Sequence, residues 1–410
     1  MPSSAKDVGT NLQNIKANNR LLILRLIATN KRITRVDISN ITGLSRMTIG
    51  NCVSELIAKN YVEEVKAEAA PSSGQGRKPL FLTISQNSPC ICGMLIKRGI
   101  CQVCLANLDG IIVSQINCSY EDLASSQELI DILVKSFYQI KASTQKKILA
   151  VGISCVGPVD TEHGIILNPP YFYGIKDLPI VSIIKQKIDM DVFLINDANA
   201  GALAEKFYGI GKNISNFIYV HIMNGIGAGL VLNDSLFNGN TGQSGELGHT
   251  SISYTGPKCA CGNTGCLELY ANIENMRQHI HEQSPFYPKS LLLNSEEPNW
   301  AQIVRYADMG DSLALSALNQ FCSYLSYALI DALNLLDLST IIVGYESSKK
   351  CNVIERLLQL KLENIVLSSR TNTISILHSS FCGDAPLIGS IALIANKFFM
   401  HKIELPGIEV

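Results

Sequence analysis

The segment from His249 to Cys266 constrains this chain more than any other stretch of its 410 residues. Nine residues separate His249 from Cys259, one separates Cys259 from Cys261, and four separate Cys261 from Cys266. One imidazole and three thiolates form a closed tetrahedral set of the kind that holds structural zinc. Gly256, Gly262 and Gly265 let so tight a loop bend around an ion. Four protein ligands leave no open coordination position, so the expected zinc is structural and does not generate hydroxide. The plainer alternative is three unrelated thiols beside a core histidine.

Thirteen cysteines over the whole chain are too sparse for a disulfide scaffold, and with this cluster they point to a reducing compartment. The first residues lack the apolar core of a signal peptide, and no apolar run reaches the ~18 residues of a membrane span. The expectation is a cytoplasmic, soluble protein with no membrane partner.

The near-zero net charge hides an asymmetry. Residues 1–85 hold 12 Lys and Arg against 6 Asp and Glu, and the remainder holds 22 against 29. A basic end on an acidic body suggests that this end meets a polyanion. Its apolar spacing is helical, with Ile15, Leu22, Ile23, Leu26 and Ile27 in a first helix. Thr34 can cap a second helix carrying Val36, Ile38 and Ile41. Gly43 supplies a turn, and Ser45 can cap a third helix that buries Ile49, Val53, Leu56 and Ile57. Two short helices around a glycine turn make a helix-turn-helix, whose last helix enters the major groove. Ser45, Arg46, Met47, Thr48 and Asn51 then face DNA, with Arg46 and Asn51 able to pair with guanine and adenine edges. Strand-like Tyr61–Val65 and Leu80–Ile84 flank a Gly/Ser-rich tip, which reads as a wing. Arg77 and Lys78 at that tip suit phosphate or minor-groove contact. A basic protein-binding module of three helices is the alternative.

The rest alternates strands and helices. Ile148–Ser154 and Asp191–Ile195 read as buried strands, and Ala198–Tyr208 as a helix. Phe217–Ile222 and Ala228–Leu232 read as a hairpin around a Gly-rich bend, and helix Leu325–Leu336 leads into strand Thr340–Val343. Polar residues at strand ends indicate α/β lobes with a site in the crevice between them. No short-period repeat or low-complexity tract is visible, and Ser284–Asn299 reads as a surface insertion.

Gly245-Glu246-Leu247-Gly248-His249, followed by Cys259-Ala260-Cys261-Gly262-Asn263-Thr264-Gly265-Cys266-Leu267-Glu268, resembles the signature of the ROK family of repressors, open reading frames and sugar kinases. The resemblance implies an actin-like, two-lobed α/β body, and the basic amino end matches the layout of the family's repressor branch. Domains are expected at 1–85 for the winged helix-turn-helix, 86–197 plus about 381–410 for the first lobe, and 198–380 for the second lobe with its zinc loop. Gly383–Met400 would return to pack on the first lobe. The resemblance also implies a sugar pocket of Asn196, Asp197, Glu246, His249 and Glu268. Carboxylates and an amide suit neighbouring hydroxyls and reject apolar ligands, which would leave buried polar groups unpaired. His249 would bind zinc through one ring nitrogen and a sugar hydroxyl through the other.

The sequence also departs from the family's kinases. Leu95 stands at the Asp of their Asp-x-Gly-Gly-Thr motif, and Lys97-Arg98-Gly99 replaces Gly-Gly-Thr. Bulky cations thus replace the glycines that let phosphate approach the backbone. A later Gly-Gly is broken as Val343-Gly344-Tyr345-Glu346, and Tyr171 aligns with the Asn of a Pro-Asn pair. The expectation is a repressor without catalysis, responsive to a monosaccharide or derivative as inducer. As a homodimer or homotetramer it would read a palindromic operator DNA. A sugar kinase with a DNA-binding appendage, or control by a partner protein, are the alternatives.

Overall fold

The computed structural model describes residues 12–66, 79–120, 123, 125–223, 225–348, 351–363, 365–367, 373–400 and 403. At the amino end, α1 (Leu12–Thr29), α2 (Arg35–Thr42) and α3 (Arg46–Ala58) precede the antiparallel strands β1 (Val62–Lys66) and β2 (Leu80–Ile84). Thr34 opens α2 in a capping box with Asp37, and Ser45 opens α3 by accepting from the Thr48 N–H. Gly43 ends α2 at φ 70°, a left-handed conformation that glycine adopts at least cost.

The head's buried face is not quite the one its periodicity suggests. Ile23, Ile27, Ile38, Ile49, Val53 and Leu56 are buried, whereas Ile15, Leu22, Val36 and Ile41 are exposed. On α1 the inward stripe runs through Ala17, Arg20, Leu21, Leu24 and Ala28. Arg20 can lie on it because Glu55 of α3 takes its charge at 2.5 Å. A hydropathy pattern cannot anticipate a buried arginine, so the pattern alone places the stripe one position away. The wing tip, with Arg77 and Lys78, lies outside the described residues.

In the body, β3 (Cys90–Lys97), β4 (Ile100–Ala106) and β5 (Ile112–Ser119) form an antiparallel meander. Helix α4 (Ser126–Ala142) then leads to β6 (Ile148–Cys155), parallel to β3. A small hairpin of β7 (Val159–Asp160) and β8 (Ile165–Ile166) precedes α5 (Ile180–Ile188), β9 (Val192–Asn196), parallel to β6, and α6 (Asp197–Tyr208). A second meander follows in β10 (Phe217–Ile222), β11 (Ile226–Leu232) and β12 (Ser235–Leu236). After α7 (Ile273–Gln283), α8 (Trp300–Asp308) and α9 (Ser312–Leu336), β13 (Thr340–Tyr345) returns parallel to β10. Helix α10 (Val353–Leu362) then leads to β14 (Ser375–His378), parallel to β13. The sheet orders are β5-β4-β3-β6-β9 and β12-β11-β10-β13-β14. Each is a three-strand meander extended by two parallel strands, so one topology occurs twice.

Helix α9 revises one expectation. By length and composition it is the one described helix that would suffice to cross a membrane. Ser, Asn, Gln and Asp331 interrupt its apolar runs, so no single run in it approaches the length of a span. Leu313, Leu318, Phe321, Leu325, Leu329 and Leu333 are buried and it packs on α7, α8 and α10, so it is the core helix of the second half.

The last helix, α11 (Ala385–Phe399), crosses back to pack on α6, β3, β6 and β9. Gly389 permits the approach to α6, since a Cβ there would lie 2.0 Å from the Ala200 carbonyl oxygen. The head rests on this junction. Tyr61 stacks on Phe398 at 6.5 Å, the Arg25 guanidinium lies over the Phe207 ring at 5.3 Å, and Lys212 Nζ donates to the Thr29 carbonyl at 2.6 Å. The apolar core of the head is therefore continuous with that around α11.

Candidate ligand cavity and metal centre

Strands of both sheets point their carboxyl ends at one cleft. Lys97 ends β3, Asn196 ends β9, and His221 stands next to the end of β10. Ligands of doubly wound sheets bind at such ends. A cavity of about 350 Å³ opens there. Asn196, Asp197, Glu246, His249 and Glu268 all line it, with Lys97, Arg98, His221 and Gln243.

Each group is held by its local fold. Asn196 caps α6, its Oδ1 accepting from the N–H groups of Ala198 at 2.9 Å and Asn199 at 3.4 Å. Its amide nitrogen faces Gly157, where a Cβ would come within 2.5 Å. Asp197, the first residue of α6, accepts from the Ala198 N–H through Oδ1 at 2.8 Å, and its Oδ2 lies 4.0 Å from His221 Nε2. The cap is thus Asn196, which leaves one Asp197 oxygen toward the cavity. Gly245 carries a φ of +88°, and a Cβ there would lie 1.9 Å from the Ala228 carbonyl oxygen. That close approach sets Glu246 against β11, with Ala228 N–H donating to the Gly245 carbonyl at 2.8 Å.

The electrostatics follow from burial. Burial pushes the Asp197 carboxyl up to about 6; the Glu246 charge adds to this while Lys97 and Arg98 oppose it. Burial, reinforced by the Lys97 charge, holds His221 down to about 3. His221 is therefore neutral near pH 7, and its contact with Asp197 is not a salt bridge. Burial also raises Glu246 and lowers Lys97, the latter partly offset by Asp384, Asp197 and Glu346.

Beside the cavity, the ligand atoms of His249, Cys259, Cys261 and Cys266 all lie within 4.8 Å of one another. Cys261 Sγ is 3.6 Å from Cys266 Sγ, and Cys259 Sγ is 3.7 Å from His249 Nδ1. A tetrahedral zinc with Zn–S of about 2.3 Å has S–S edges of about 3.8 Å, so the donor set fits that ion. The same spacing is far beyond a disulfide bond of about 2.05 Å. His249 Nδ1 faces the thiols while Nε2 lies 4.0 Å from Glu268 Oε2, so the ring stands between the cysteines and the cavity.

The departures from the kinase motif are visible as contacts. Lys97 Nζ donates to the Gly383 carbonyl at 3.4 Å, and Arg98 Nε and Nη2 donate to the Pro170 carbonyl at 3.0 and 2.7 Å. Leu95 is wholly buried between β4 and β6. Tyr171 is 92% exposed and turns away from the cavity, which Pro170 lines instead. On the head, Ser45, Arg46, Met47 and Asn51 are exposed, while the half-buried Thr48 shares a 2.9 Å hydroxyl contact with Ser45. Sequence reasoning missed His221 and Gln243. The first sits inside a fully buried strand and the second in a loop, and neither carries a local signal.

The ROK family model matches residues 100–397, and a winged helix-turn-helix DNA-binding model matches residues 17–63. The xylose repressor of Bacillus subtilis (strain 168) is 30% identical over 389 residues, covering 94% of this chain and 96% of that protein. A solved ROK family transcriptional regulator, described as a homologue of the Escherichia coli MLC protein, superposes with a TM-score of 0.75 at 27% identity. It covers 94% of this chain and 97% of that one. A ROK family glucokinase from Streptomyces griseus, solved with glucose and AMPPNP, superposes with a TM-score of 0.65 at 22% identity. It covers 74% of this chain and 98% of that one, and shares the fold.

Proposed function

The chain belongs to the ROK family, and on that premise we propose that it is a sugar-responsive DNA-binding transcriptional repressor. The observation that carries the reading is the pairing of two features in one chain. A capped helix-turn-helix presents Arg46, Met47 and Asn51 outward, and a cavity gathers Asn196, Asp197, Glu246, His249 and Glu268. Residues 1–85 serve as the DNA-binding unit, 86–197 with about 381–410 as the first lobe, and 198–380 as the second. Arg77 and Lys78 complete the DNA contact from the wing.

In the cavity, Asp197, Glu246 and Glu268 accept hydrogen bonds from sugar hydroxyls, and the Asn196 amide donates one. The buried acceptors make a hydroxyl-bearing ligand much preferred over an apolar one. Zinc at His249, Cys259, Cys261 and Cys266 would fix the loop that carries His249 and Glu268. Because α6 and α11 join the cavity to the surface on which the head rests, lobe closure on the sugar re-spaces the heads of a homo-oligomer. Two recognition helices about 34 Å apart match a palindromic operator, and a change in that spacing releases it. A coupling of ~100-fold, or about 2.7 kcal/mol, suffices for such a switch.

The kinase reading is the weaker one. Lys97 at the end of β3 and Arg98 in the turn after it stand where phosphates would meet glycine backbone, and both are tied to carbonyls. Asp197 could still serve as a base toward a hydroxyl, but the turn that would seat a phosphoryl donor is held by the Arg98 and Lys97 side chains. The test is titration of the full chain with monosaccharides, followed by calorimetry and operator gel shift. One sugar should bind and release DNA. Absence of binding by any sugar, with release caused by a protein from the same cells, would favour partner control instead.

A further inference from the structure

A second chain of polar groups lies at the carboxyl ends of β13 and β14, outside the cavity. Tyr345 donates its hydroxyl to Glu355 Oε2 at 2.9 Å, and the other Glu355 oxygen, Oε1, is 2.6 Å from His378 Nδ1. His378 Nε2 then faces the Cys382 thiol at 3.5 Å and the Ser347 hydroxyl at 3.3 Å. Glu355 and His378 are largely enclosed, with side chains 7% and 15% exposed. A carboxylate fixed from one side, an imidazole fixed by it, and a thiol on the far ring nitrogen repeat the order nucleophile, base, orienter.

The backbone adds an independent mark. Cys382 has a φ of 51°, a left-handed conformation that is strained for a residue with a Cβ. A glycine would adopt that conformation without strain. Cys92, Cys104, Cys155 and Cys322 are wholly buried, and burial pushes their thiols up, which makes them poor nucleophiles. Cys382 retains 8% exposure and faces an imidazole instead.

We propose that Cys382 is a nucleophilic thiol, with His378 as its base and Glu355 orienting that base, and that it reacts with small hydroperoxides. The Cys382 proton passes to His378 Nε2 as the sulfur attacks one peroxide oxygen. The S–O bond forms, the O–O bond breaks, and the leaving oxygen takes the proton back from His378. The thiol is oxidised to a sulfenic acid, and the peroxide is reduced to water or an alcohol.

The test uses the full, zinc-loaded chain, pulsed with iodoacetamide or with hydrogen peroxide and dimedone, then read by peptide mass spectrometry. Cys118 is more exposed than Cys382 and has a serine, not an imidazole, beside it. Cys382 should nonetheless label at least about tenfold faster, since a base typically contributes a factor of this size or more. His378→Gln should remove that advantage while Cys351, a buried thiol only 2% exposed, stays slow to label, which reports an intact fold. Faster labelling of Cys118 than Cys382 in the wild-type chain overturns the proposal, and so does an unchanged Cys382 rate in a folded His378→Gln protein. The wild-type ranking needs no variant to fold.

Discussion

Lys97 Nζ donates to the Gly383 carbonyl over 3.4 Å, joining the end of β3 to the residues that lead into α11. The same ammonium lines the cavity and opposes the effect of burial on Asp197. A phosphate-binding turn needs bare backbone N–H groups, and a tethered lysine denies that approach. Magnesium and ATP should therefore leave the melting temperature unchanged, while the cognate sugar raises stability by ~2.7 kcal/mol at a hundredfold excess over Kd. Thermal-shift titration and a phosphate-transfer assay check this; sugar phosphorylation by the wild-type chain would reverse it.

Asp197→Asn separates ligand response from folding. The carboxyl ionises at about 6 in the folded chain, above its ordinary value of 3.8, so its burial as an anion works against folding. Below pH 3.8 the group is protonated in both states and contributes nothing. The penalty grows between pH 4 and 6 and is complete above. At pH 8 the variant should thus gain on the order of 2 kcal/mol relative to wild type, a gain lost near pH 4. Sugar response should fall while operator binding persists, giving a super-repressor. Chemical denaturation at the two pH values and an operator release assay measure both effects.

On the head, Arg46→Ala should relax preference at one base pair at a cost of ~1–3 kcal/mol, because an exposed arginine at the start of α3 can address a guanine edge. Lys31 and Arg32 lie in the turn between α1 and α2. Their replacement by alanine is expected to spare sequence preference, so comparing the two sets on cognate and mismatched duplexes distinguishes base reading from a general charge effect.

Cys261→Ser should reduce bound zinc from about one per chain and lower stability through loss of the folded loop. Atomic absorption on reduced, unchelated protein gives the metal content. Wild-type protein without stoichiometric metal would remove zinc from the mechanism.

Phe398→Ala should uncouple the head. The ring is wholly buried and stacks on Tyr61, and truncating a core phenylalanine costs ~3–5 kcal/mol. Amide exchange in α1 should quicken more than in β10 or β13. Equal effects on both regions would mean that α11, and not the head's docking, is what the ring supports.

Much of this architecture is local and was legible as such. Thr34, Gly43 and Ser45 mark the helix-turn-helix because caps and a left-handed turn are decided within four residues. The metal ligands fall within eighteen residues, so their spacing alone foretold the cluster. Asn196-Asp197 could be read because a strand and a helix meet there, although which of the two caps the helix could not.

What the tertiary structure decided is how distant segments share one volume. Lys97 and Gly383, 286 positions apart, meet only because α11 returns across the first sheet. The doubled sheet order left no repeat in the sequence, since either half needs only buried residues at matching positions and not the same residues. Arg20 lies inward because Glu55 sits opposite it, and His221 reaches Asp197 because two sheets aim their strand ends at one cleft. Local sequence sets caps, periods and ligand spacings. Partners far along the chain are chosen by packing, where each group's environment comes from residues that no window of the sequence contains.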